Sequence, residues 1–84
     1  MTAEALPPEA ETVFAELRRL RQELARAEGV PAFVVASDRT LRDIAVLRPR
    51  SLDELKLAHG IGPAKAERYG QQLLGAVARA ASPR

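Results

Sequence analysis

Eighty-four residues with a formal net charge of +2 suit one domain with a thin core, because a chain of this size hides only somewhat over roughly 60% of its unfolded surface. The absence of cysteine excludes disulfides, thiolate nucleophiles and cysteine zinc sites, and a single histidine, His59, excludes a histidine-rich metal site. No stretch approaches the roughly 20 apolar residues of a membrane span and the N-terminus lacks a signal-peptide pattern, so a cytoplasmic protein without a metal or other cofactor is expected.

Residues 1–8, with a Pro-Pro pair and little apolar content, read as a flexible linker, and 81–84 as a free tail. The spacing of Val13, Leu17, Leu20, Leu24 and Ala27 predicts a first helix from about Glu9 to Glu28, stopped by Gly29 and barred from resuming by Pro31. Its mixed Arg and Glu residues read as a solvated face. Val30 to Ala36 has no helical period, and a strand there would have no partner, so an extended loop over the helices is expected. Ser37 or Asp38 caps a second helix over about Arg39 to Leu47, with Leu41, Ile44, Ala45 and Leu47 inward and Arg39, Arg42, Asp43 and Val46 outward. Ser51-Leu52-Asp53-Glu54 has capping-box spacing and opens a short third helix to about Ala58, with Leu52 and Leu55 buried. Gly60-Ile61-Gly62-Pro63 forms a turn with Ile61 as its apolar peg. The last helix runs from about Pro63 to Ala80 with Ala66, Tyr69, Leu73 and Val77 inward. Gly70 inside that helix marks the close approach of a neighbour. The expected fold is an all-α compact bundle of four to five helices spanning residues 9–80.

Catalytic residues are scarce: His59 has no nucleophile spaced for it, so an enzyme is not expected. Gly60-x-Gly62-x-x-Lys65 fails the phosphate-loop pattern, lacking the Lys-Ser/Thr pair and a preceding strand. Binding is the better prospect. Residues 1–36 carry four Arg against six Glu, whereas residues 37–84 carry nine bases against five acids. Arg39, Arg42, Arg48 and Arg50 share twelve residues with one acid, Asp43, and form the strongest local field of the chain. They are either phosphate ligands or a solvated surface. Gly60 and Gly62 opening a helix, with Lys65 and Arg68 on one face of it, either offer backbone donors and charge to a phosphate or simply make a tight turn. Phe33 either stacks on an unpaired base or plugs the core.

Taken in order, Leu17-Arg18-x-x-Arg21-x-x-Leu24-Ala25, Gly29-Val30-Pro31-Ala32-Phe33-Val34-Val35-x-Ser37-Asp38-x-Thr40-Leu41, Pro49-x-Ser51-x-x-Glu54-Leu55 and Gly60-Ile61-Gly62-x-x-Lys65-x-x-x-Tyr69-Gly70 closely resemble the helicase-and-RNase-D C-terminal (HRDC) domain. The resemblance runs from about residue 12 to 79 and is nearest to the HRDC domains of bacterial RecQ DNA helicases. It implies a small helical bundle and a non-catalytic accessory module serving DNA repair and recombination. Such a module helps its parent enzyme hold single-stranded or branched DNA. It also implies that Phe33 occupies the place of an aromatic that contacts DNA in RecQ-like members, without the hydroxyl that a tyrosine would add.

Three functional expectations follow. One is an accessory nucleic-acid-binding domain of a RecQ-type helicase, a monomer binding DNA weakly and with salt sensitivity. Another is a protein-interaction module docking on other domains of the parent helicase. A third is the RNA-binding C-terminal domain of an RNase D-like exonuclease, disfavoured by the RecQ-like Pro31 to Leu41 segment.

Overall fold

The computed structural model describes residues 6–81. The first five residues of the expected linker and residues 82–84 of the expected tail lie outside that range. Five helices follow one another: α1 (Pro8–Glu28), α2 (Ala32–Val35), α3 (Asp38–Leu47), α4 (Leu52–Leu55) and α5 (Pro63–Ala81). No strand occurs among the described residues.

The long helix α1 is the spine. Pro8 stands at its first turn, where a missing N–H costs nothing, and Leu6 just before it already packs on the core. Gly29 closes it at φ 70°, with the amide of Gly29 donating to Arg26 and that of Val30 to Ala25, a Schellman-type stop. Two salt bridges clamp α5 antiparallel to α1: Arg79 on Glu16 at 2.8 Å and Arg68 on Glu28 at 3.3 Å. α3 also runs antiparallel to α1, since Arg42 lies over Phe14 and Arg21 reaches Asp38 at 2.8 Å. Leu17, Leu41, Ile44, Leu55 and Leu73 are fully buried between these elements. Each contributes about 1.5–3 kcal/mol of transfer free energy.

Several local expectations change. Ala32–Val35 is one turn of helix rather than extended loop, with Val34 donating to the Pro31 carbonyl and Ala36 to that of Ala32. Burial of Val35 against the bundle outweighs the weak helical preference of its β-branched neighbours. On α1 Ala10 and Ala25 are buried, whereas the expected Ala27 is exposed. Leu47 is 40% exposed rather than inward. α4 ends at Leu55 instead of Ala58, since Leu57 and Ala58 switch to bonds three residues back, on Glu54 and Leu55. That tightening turns Ala58 into the core.

Caps and glycines behave as the sequence suggests. Ser37 Oγ accepts from the Thr40 amide at 3.1 Å, and Ser51 Oγ from that of Glu54 at 3.1 Å. Glu54 reaches back to the Arg50 amide at 2.8 Å, one residue before the cap. A Cβ on Gly70 would stand 2.5 Å from Leu52 Cδ2, so α4 packs where a side chain is missing from α5.

Candidate nucleic-acid interface

The two antiparallel clamps bring the N-terminal ends of α3 and α5 to the same end of the bundle, beside the C-terminal half of α1. Arg21 holds α2 there as well, donating to the Ala36 carbonyl at 3.0 Å. The Gly60 turn is seated on α3: Gly60 has φ 80°, and a Cβ there would stand 2.7 Å from Thr40 Oγ1. The His59 amide adds a bond of 2.9 Å to Asp43 Oδ2. Ile61 is buried as the peg of that turn.

Phe33 is 72% exposed at this end. A one-turn helix that buries only Val35 leaves its other side chains outside, and Val34 beside Phe33 is 45% exposed too. Arg39, in the first turn of α3, is exposed and has no ion-pair partner among the described residues. Gly62 has open space around its α-carbon, and Lys65 stands one turn into α5. Pro63 lacks an N–H, and the Ala66 amide closes on the Gly62 carbonyl, so the amides of Ala64 and Lys65 start the helix unladdered. Phe33, Arg39, Gly60, Gly62 and Lys65 therefore share one end of the molecule.

The remaining expected site residues stand elsewhere or are engaged. Arg42 is half-buried, with its guanidinium 5.9 Å from the Phe14 ring centre and further interactions besides. Arg68 donates to Tyr69 Oη at 3.2 Å and pairs with Glu28, while the Tyr69 hydroxyl donates to Glu28 Oε1 at 2.9 Å. The Tyr69 bond, then the Glu28 charge, pushes the Arg68 pKa further up. Arg68 thus closes the α1–α5 clamp. Arg48 and Arg50 follow the other end of α3, which at 1.5 Å per residue lies about 15 Å from its start. Arg48 ends α3 at φ 47°, the single non-glycine with positive φ among the described residues. Among the described residues, no group of acids and histidine is placed to hold a metal. No helix of the structure is long and apolar enough to cross a membrane.

Val34 was the exposed neighbour that sequence reasoning passed over. The signal was present in the length of its segment, since a single turn, Ala32–Val35, can turn only one large side chain into the core.

A family model, the HRDC domain, matches residues 10–77. The chain belongs to the HRDC domain family. This HRDC domain is 41% identical over 66 residues to the ATP-dependent DNA helicase RecQ of Bacillus subtilis (strain 168), covering 79% of the chain and 11% of that relative. It is 39% identical over 64 residues to the ATP-dependent DNA helicase UvrD2 of Mycobacterium tuberculosis (strain H37Rv), covering 76% of the chain and 9% of the relative. Its fold matches a solved structure, the D. radiodurans RecQ HRDC domain 3, with a TM-score of 0.80 at 37% identity, over 83% of this chain and 92% of that one. The chain thus spans about a tenth of the length of the curated relatives it matches.

Proposed function

We propose that this HRDC domain is a non-catalytic DNA-binding accessory of a RecQ-type ATP-dependent helicase, holding single-stranded or branched DNA at the Phe33 end. The observation that carries the reading is the exposed aromatic beside two helix N-termini. Phe33 stacks on an unpaired base, Arg39 and Lys65 neutralise flanking phosphates, and the amides that open α5 donate to a phosphate oxygen. An apolar ring with few charges around it favours unpaired bases over duplex, whose bases are already stacked.

With two or three cations engaged, binding to a single strand is weak and has a log-log salt slope of roughly −1.5 to −2. Titration of the domain with fluorescent single-stranded, duplex and forked DNA at two salt concentrations tests it. Equal affinity for duplex and single strand, or tight binding insensitive to salt, contradicts the reading.

A further inference from the structure

At the opposite end of the bundle lies a groove of about 780 Å³ between the α3–α4 connection and the C-terminal half of α5. One wall is Leu47, Arg48, Pro49 and Arg50; the other includes Leu74 and Ala78. Its lining holds no carboxylate and no aromatic ring. Neither guanidinium has an ion-pair partner among the described residues, although Arg48 and Arg50 stand two residues apart on the same wall. Leu47 also continues the apolar surface around the corner to Val46 and Leu57, which are 58% and 73% exposed.

We propose that this groove docks a protein segment that carries carboxylates beside large apolar side chains. Charge complementarity chooses that occupant. The wall presents two cations over an otherwise uncharged lining, so an anionic partner finds countercharge without displacing an existing pair. The same lining argues against a nucleic-acid strand as occupant, because no aromatic offers a base a stacking platform, whereas Leu47, Leu74 and Ala78 accept aliphatic side chains. Gly75 keeps the groove open: a Cβ there would meet only Arg79 Nη1, at 3.7 Å. The proposal stands apart from the DNA reading, since it uses neither Phe33 nor the Gly60 turn.

The test is a fluorescence-anisotropy titration of the domain with a labelled synthetic helical peptide bearing Glu and Leu on one face, and with its counterpart carrying Lys for Glu. The acidic peptide is expected to bind about tenfold or more tightly than the basic one. Arg50→Glu is expected to weaken it by a similar factor. Gly75→Gln, which fills the groove from an open position, is expected to weaken it without lowering the thermal midpoint. Phe33→Ala leaves it unchanged. Equal binding of the two peptides, or no binding of either, overturns the proposal, as does indifference to both groove variants. Displacement of the acidic peptide by single-stranded DNA would reassign the groove to nucleic acid. Concentration-dependent self-association abolished by Gly75→Gln would make it an interface between copies of the chain.

Discussion

The two ends of the bundle carry similar charge on different materials. At the Phe33 end the cations are spread over two helices that share that end with an exposed aromatic ring, and the amides that open α5 are unladdered. At the Arg48 end two adjacent cations stand over aliphatic walls, next to helix C-termini whose carbonyls already favour positive charge. Net charge alone would treat both as phosphate sites. The surrounding groups separate them: amide donors and a stacking ring suit a nucleotide, while an aliphatic trough suits side chains.

The separation can be broken most forcefully at Gly60. Gly60→Val places a β-branched residue at φ 80° and drives its Cβ toward Thr40 Oγ1. We expect a loss of about 2–3 kcal/mol in stability from strain and displacement of the turn, read by denaturant unfolding. Gly62→Ala, two residues on but in open space, should stay within about 0.5 kcal/mol of the parent. Equal effects would mean that the turn is not seated on α3. Gly70→Leu forces a side chain against Leu52 and Leu55 and should cost about 1–3 kcal/mol by overpacking. An unchanged thermal midpoint would remove the α4–α5 contact from the account.

Phe33→Ala sharpens the comparison without touching the core. Its DNA affinity should fall by about 1–3 kcal/mol if the ring stacks on a base, with the thermal midpoint unmoved. A destabilised Phe33→Ala protein, or one with unchanged DNA affinity, takes Phe33 out of the interface. The smallest effect expected concerns acid. Hydrogen bonds from Arg19 and Arg79 hold the Glu16 carboxyl at about 2, against an ordinary value of 4.5. Because the folded value is the lower one, the clamp's contribution is complete above the ordinary value and fades as pH falls through about 2. Glu16 and its partners are partly solvated, so screening keeps the contribution small. Thermal midpoints of Glu16→Gln and the parent should therefore differ slightly near neutrality and converge at the acid end.

Much of this architecture can be read from residue order. α1, α3 and α5 are long enough for their periodicity to declare a face, and Ser37, Ser51, Gly29 and Pro63 mark ends through local chemistry that needs no tertiary partner. α2 is invisible to that reasoning because four residues make barely one turn and hold no period. The exposure of Phe33 depends on which side of that turn meets the bundle, which Val35 decides only after folding. Arg42 and Arg68 look like free surface cations in the sequence, yet Phe14 lies 28 residues away from one and Glu28 40 residues from the other. Arg48 is likewise part of a basic run in the sequence, while in the fold its left-handed backbone turns the chain into the groove wall.

The antiparallel clamping of α5 on α1 also settles where the chain enters and leaves. Glu16 meets Arg79 and Glu28 meets Arg68, so the start of α1 and the finish of α5 lie at the Arg48 end. Any polypeptide joined before Pro8 or after Ala81 would emerge there, leaving Phe33 at the far end of the bundle. Under the proposed DNA reading, a longer connection to a parent protein would dilute that far end around a bound strand, while the groove would stay close to the point of attachment.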